Sequence, residues 1–396
     1  MRIRRELRKA FALLGIALLL AGCGEGAGTV KDNVPQMSVP DEPGETRPIK
    51  IGLIVTVTGE KEEFGKSLWV SAEMAVEKIN KEGGVLGRQI ELVQRDSRAE
   101  SKRAVEIARE MAADEDITAV IGPMMSGEAI ACAPIFEEAG MIELAPLANH
   151  PDYASMGAHM FTLAASQTAE FPPIVEKQVK GFHKAKRVGV MYTSTEWGVS
   201  SLNEFESACR ERGVDIVCIE SIHGQETDFN SSIMKVRQTN PELLVIISHQ
   251  IECAALLRQI KETGWEIPIA VSSTNYSDQV LQLAGEAAEG ITSITAFFLS
   301  EEDSDAWEYA QEFKKRAGYI PTVHGVFSYD AVGVLCDAIR RAGSTYREAV
   351  FEALKTTENY EGIAGLRRFT QEGYVDRDFQ VVQVENGRWV LRTIPE

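Results

Sequence analysis

Apolar positions along this chain switch repeatedly between two periods. From Ile51 to Val57 a short run dominated by β-branched residues predicts a strand buried on both faces, as in a parallel sheet. After Thr58-Gly59, apolar residues recur at helical spacing (Leu68, Ala72, Ala75, Val76, Ile79). Gly83-Gly84 stops that helix, because glycine enters the left-handed C-cap conformation without a Cβ penalty. A second strand, Gln89 to Gln94, ends in Arg95-Asp96. This is a βαβ unit, and the loop after its first strand lies where α/β sheets usually bind ligands.

The alternation continues with a helix over Ser101 to Ala113 and a strand over Ile117 to Ile121. The loop Gly122 to Gly127, a helix over Glu128 to Ala139 and a strand over Met141 to Ala145 follow. Four strand–helix alternations between Ile49 and about Ala165 make one doubly wound domain. The pattern restarts with a strand over Val188 to Tyr192, the loop Thr193 to Gly198 and a helix over Val199 to Arg212. Strands over Asp215 to Ile219, Leu243 to Ile247 and Ile267 to Val271 complete a second α/β unit. The two units share an architecture but no recognisable sequence repeat. Helices are then expected over Asp303 to Ala317, Val323 to Ala342 and Arg347 to Lys355. The tail alternates like strands over Leu366 to Phe369, Phe379 to Val384 and Trp389 to Leu391, with Asn386-Gly387 as a hairpin turn.

The first 48 residues do not fit this pattern. A basic start precedes the apolar run Ala10 to Ala21, which is too short and wrongly flanked for an ordinary membrane span. The run ends in Leu20-Ala21-Gly22-Cys23, which resembles a bacterial lipobox and implies cleavage before Cys23 and lipidation of its thiol. A plain signal peptide with a chance cysteine is the alternative. Acyl chains on one residue tether a protein to a membrane face without spanning it. Residues 24–48, with four prolines, read as a disordered tether reaching roughly 25–30 Å. Nothing later is long and apolar enough to span a bilayer.

Charge narrows the partners. Beyond residue 22 the chain holds 36 Lys/Arg against 58 Asp/Glu, a net of −22. So acidic a body is a poor partner for nucleic acid or anionic lipid. Candidate enzyme chemistry is sparse. None of the six histidines falls in an HExxH pattern or in metal-ligand spacing with cysteine, and neither a GxSxG elbow nor a GxxxxGK[ST] loop occurs. Gly83-Gly84-Val85-Leu86-Gly87 follows a helix rather than a strand, so it lacks the context of a dinucleotide fingerprint. Paired acids such as Glu62-Glu63 and Glu301-Glu302 read as solvated surface. No catalytic residue, metal site or cofactor is implied. Besides Cys23 there are five cysteines without paired CxxC spacing, and a Cys209–Cys218 disulfide stays open.

Several stretches together resemble the type I periplasmic binding proteins, specifically the branched-chain amino acid-binding family of ABC transporters. They are Thr58-Gly59 to Phe64-Gly65, Ile79 to Arg88, Val120-Ile121-Gly122-Pro123, Ala284 to Gly290 and Tyr329-Asp330-Ala331. The resemblance runs from Ile49 to about Arg392. It implies an α/β protein of two doubly wound lobes joined by three hinge crossings, near Gln167, Ala296 and Gly373. Lobe 1 is then 49–167 plus 297–373, and lobe 2 is 168–296 plus 374–396. A monomeric receptor is expected that closes on a small molecule and presents it to a membrane ABC permease.

The same resemblance implies the ligand-binding residues. Ser126 and Gly127, on the turn before a helix, offer a hydroxyl and free backbone N–H groups to a carboxylate; the alternative for Ser126 is a simple N-cap. Leu147 and Asn149 contact the same end of the ligand, unless Asn149 serves only its own turn. Phe64 and Trp197 stand where family members often place tyrosine, and would wall the ligand from each lobe. Trp197 as a loop anchor is the alternative. His249 stands at another tyrosine position and could give a carboxylate a donor or a charge. Gln167 and Ser273, with Thr274 adjacent, replace the Asp and Glu that neutralise an amino acid's ammonium. A buried, unpaired ammonium costs several kcal/mol, and the family pattern places no other acid. The expected ligand is therefore a small organic acid or amide without an ammonium. Two alternatives stand: an amino acid receptor with a non-standard ammonium site, for instance Glu252 after a register slip, and a ligand sensor serving a membrane kinase or chemoreceptor.

Overall fold

The computed structural model describes residues 45–58, 62–223, 226–299 and 304–394, with the side chains of Glu63, Phe64 and Ser304 outside the description. The leader, the lipobox cysteine Cys23 and the tether, except for its last residues, also lie outside it.

Five strands form the first sheet: β1 (Ile49–Val55), β2 (Ile90–Asp96), β3 (Ile117–Ile121), β4 (Glu143–Leu144) and β5 (Met160–Phe161). All are parallel, in the order β2-β1-β3-β4-β5. β1 and β3 are apolar on both faces because both faces are covered. On one side Ile51, Leu53 and Ile121 pack with α1 (Glu62–Lys81), α10 (Val323–Ala342) and α11 (Arg347–Lys355). On the other, Ile54 and Val120 pack with α2 (Ser101–Ala113) and α3 (Ser126–Glu138). The late helices α10 and α11 thus return to the lobe that the chain built first.

The second sheet has seven strands in the order β14-β13-β10-β9-β8-β6-β7. Its parallel part is β6 (Arg187–Thr193), β7 (Asp215–Ile222), β8 (Leu243–Ile247), β9 (Ile269–Val271) and β10 (Thr292–Thr295). The hairpin β13 (Gln380–Glu385) and β14 (Arg388–Arg392) adds antiparallel to β10. Helices α4 (Gln167–Pro173) and α5 (Glu196–Arg212) cover one face. Helices α6 (Asn230–Gln238), α7 (Gln250–Glu262) and α8 (Asp278–Ala284) cover the other. A two-stranded pair, β11 (Glu358–Tyr360) and β12 (Leu366–Arg368), belongs to neither sheet.

The chain passes between sheets after β5, after β10 (into α9, Ser304–Ala317) and before β13. Arg377, on the last passage, donates to the carbonyls of Leu163, Ala364 and Gly365 and lies over the Phe327 ring at 4.6 Å. Asp330 accepts the N–H groups of Ile363, Ala364 and Gly365, so that loop is gripped from both sides.

The structure departs from the sequence expectation in two places and decides one open point. The strand over 141–145 shrinks to Glu143–Leu144, and β5 and β10 carried no clear period. Pro172 and Pro173 sit inside a helix; lacking two N–H donors, it continues over Ile174–Phe182 in wide i→i+5 turns. Cys209 packs under α5 on one face of the second sheet and Cys218 against the opposite face, so the two thiols are free and cannot pair. Among the described residues no helix is long and apolar enough to cross a membrane.

Candidate functional site

In each lobe the helix that follows the first strand starts against that strand's end by the same device. A Cβ on Gly65 would stand 1.8 Å from the Thr56 carbonyl oxygen, and one on Gly198 would stand 2.0 Å from the Thr193 oxygen. Only glycine allows either approach. The residue before each glycine is aromatic, Phe64 in one lobe and Trp197 in the other. The Phe64 side chain lies outside the described residues; Trp197 is 9 % exposed.

Trp197 meets groups from both lobes. Its ring stacks on His249 with centroids 4.9 Å apart, and its Nε1–H donates to Asn149 Oδ1 at 3.0 Å. Asn149 follows β4, on the first lobe, and its Nδ2 donates to Glu170 Oε2 at 2.9 Å. The other Glu170 oxygen accepts from the Ser273 hydroxyl, beyond β9. One buried carboxylate therefore joins a side chain from each lobe. Thr274, next to Ser273, turns away and donates to the Ser248 carbonyl. His249 precedes α7 and is buried.

Gln167, one helical turn before Glu170, is fully buried. Its amide N–H donates to the Trp197 carbonyl (3.2 Å) and Ser201 Oγ (2.8 Å), so it holds the tryptophan in place. Its Oε1 is buried with no partner among the described residues. Gln167 and Glu170, three residues apart, share one face of α4.

Across from this cluster, α3 starts at Ser126 with Met125 in the N-cap position and no side chain capping it. The simple N-cap alternative for Ser126 is thereby removed. Ser126 is buried, and a Cβ on Gly127 would come within 2.8 Å of Glu196 Oε2 of α5, so lobe 2 closes over this turn. Leu147 is half-buried against the first core. The arrangement offers an anion the N-terminal N–H groups and the positive dipole end of α3. It offers a cation the acceptors of Glu170. Burial pushes the Glu170 carboxyl above the usual range, against the pull of the Ser273 and Asn149 hydrogen bonds. A cation beside it would reverse that shift.

Glu170 is the residue that the family pattern did not supply. The signal available in the sequence was an acid on the same helical face as Gln167, Phe171 and Ile174, all of them buried.

Residues 48–388 match the family model for periplasmic binding proteins. The chain belongs to that family. Among its relatives, the leucine-, isoleucine-, valine-, threonine- and alanine-binding protein of Pseudomonas aeruginosa is 27 % identical over 338 residues, covering 85 % of this chain and 89 % of that one. A leucine-binding protein from Thermotoga maritima superposes with a TM-score of 0.78 at 26 % identity, over 87 % of this chain and 98 % of the other. An ABC transporter substrate-binding protein from Desulfitobacterium hafniense, solved with leucine, gives 0.73 at 26 %, over 87 % and 100 %. The two lobes of this binding protein are accordingly those of the type I fold.

Proposed function

We propose that this chain is the extracytoplasmic receptor of an ABC importer and encloses a small α-amino acid between its lobes. Supporting this reading is Glu170, buried where Asn149 of one lobe and Ser273 of the other converge on it. It supplies the acid missing at positions 167 and 273, so the ammonium-free ligand inferred from those positions gives way to the amino acid alternative. The carboxylate lies at Ser126 and Gly127, the ammonium at Glu170 with the Gln167 carbonyl oxygen as a second acceptor. The apolar body lies against Trp197 and His249. Relatives named for leucine, isoleucine and valine agree with that division of labour.

The lobes, 49–167 plus 297–373 and 168–296 plus 374–396, close about the three crossings, and Asn149 is the clasp. Lipid on Cys23 holds the receptor at the membrane beside its permease; Cys23→Ser releases it to the soluble fraction if this is correct. A thermal-shift panel tests the ligand. Leucine, isoleucine or valine at 100 times its Kd raises stability by about 2.7 kcal/mol, whereas 4-methylpentanoate, leucine without its ammonium, gives little. Equal stabilisation by the two would return the reading to an organic acid receptor.

A further inference from the structure

We propose that the ligand site continues into a second, polar compartment that receives a distal N–H group of the ligand, a terminal amide or ammonium. This rests on the amino acid reading above. A cavity of about 50 Å³ lies between the lobes. At the roughly 10–15 Å³ that one water needs by this measure, it holds a few waters or one terminal polar group. Lobe 2 contributes Gln250, Asp278, Gln279 and Gln282. Lobe 1 contributes Ser67 and Tyr319, whose hydroxyls lie 2.9 Å apart.

The compartment is one step from the cluster around Glu170. Gln250 follows His249 and donates to the Thr274 carbonyl at 3.1 Å. The segment from Ser273 to Asp278 therefore has the Glu170 partner at one end and the compartment's carboxyl at the other. Asp278 is the only carboxyl among the described residues lining the wall. Burial pushes its carboxyl up, and the cation acting on it is Lys314 of α9. His324, also in the wall, is held neutral at physiological pH by burial, with a pKa of about 4. Three amides, hydroxyls and one carboxyl make a polar wall, and the described residues lining it include no Lys or Arg. A ligand side chain ending in methyl groups would desolvate these groups without replacing their hydrogen bonds, whereas one ending in N–H groups satisfies them. The position of Asp278 in the first turn of α8 favours its charge through the helix dipole, but that does not account for a cavity walled by polar groups of both lobes.

Calorimetric titration of the full chain in detergent with valine, norleucine, glutamine and lysine tests the inference. Glutamine or lysine is expected to bind at least tenfold more tightly than norleucine, which has a similar reach. Asp278→Asn should lower the ratio of lysine to valine affinity at least tenfold, and Gln282→Leu should lower that of glutamine to valine. The melting temperature of each variant checks that it is folded. Norleucine binding as well as glutamine and lysine, or ratios unmoved by either substitution, overturns the compartment while leaving the amino acid reading intact. A chain that binds none of the four, and neither leucine nor isoleucine, overturns both.

Discussion

Gly198→Ala is a one-methyl change with a defined geometric consequence. The new Cβ would meet the Thr193 carbonyl oxygen at 2.0 Å, its Cγ2 at 2.7 Å and its carbonyl carbon at 3.0 Å. The closest of these is backbone in β6, a strand paired on both sides by β7 and β8, and it cannot yield. The start of α5 must move out by about 1 Å to restore ordinary contact, and Trp197 is its second residue. That shift breaks a 3.0 Å bond to Asn149 and a 4.9 Å stack on His249. Overpacking of this kind costs about 1–3 kcal/mol, and the lost hydrogen bond about 1 kcal/mol more. Gly213→Ala, at the other end of the same helix, is the control. Its φ is +67° and a Cβ there meets nothing within 4 Å, so it costs about 1 kcal/mol of backbone strain and nothing in the site. Urea denaturation and ligand titration of both variants separate the two effects. Gly198→Ala should lose stability and at least tenfold in leucine affinity; Gly213→Ala should lose stability alone. Equal leucine affinity in the two variants would refute the claim that Gly198 positions the tryptophan.

Asn149→Ala removes both hydrogen bonds of the clasp and leaves Trp197 Nε1 and Glu170 short of partners, at about 1–3 kcal/mol. Small-angle scattering of the ligand-free variant should show a larger radius of gyration than the parent chain. Glu170 has its proton affinity raised by burial, so the folded state holds a proton over a pH range in which the unfolded chain has lost it. Its contribution to ligand-free stability is therefore present below the unfolded pKa and lost as pH rises through the folded one. The stability difference between the parent and Glu170→Gln, followed by urea unfolding across that range, should shift against the parent as pH rises and stop changing with pH below the unfolded pKa. Alkylation under denaturing, non-reducing conditions should label both Cys209 and Cys218, and a crosslinked 209–218 peptide in the mass spectrum would contradict their placement on opposite faces of the sheet.

The scaffold was readable because its signals are periodic. β1, β3, β6 and β8 are mostly apolar and buried along their length, and α1, α5 and α10 end at glycines or basic turns. The unreadable parts have no period to read. β4 and β5 are two residues each, and the helix through Pro172-Pro173 carries two residues that ordinarily stop a helix. At the site, the family pattern pointed to single positions, among them Trp197, Asn149 and Gln167, which the fold brings into direct contact. It did not include Glu170, which lies one helical turn beyond Gln167 on the same face of α4. The Cys209–Cys218 pairing was open by chain distance alone; the alternation of β7 puts Cys218 on the other side of the sheet.

Titration of leucine and of 4-methylpentanoate into the parent chain and into Glu170→Gln tests the central claim most directly. Removing the charge that faces a buried ammonium costs about 3–5 kcal/mol, so leucine affinity should fall at least 100-fold, at about 1.4 kcal/mol per factor of ten. Affinity for 4-methylpentanoate, weak in the parent, should rise or hold, because no ammonium is left to neutralise. Leucine bound equally well by both chains would contradict the assignment of Glu170 as the ammonium site.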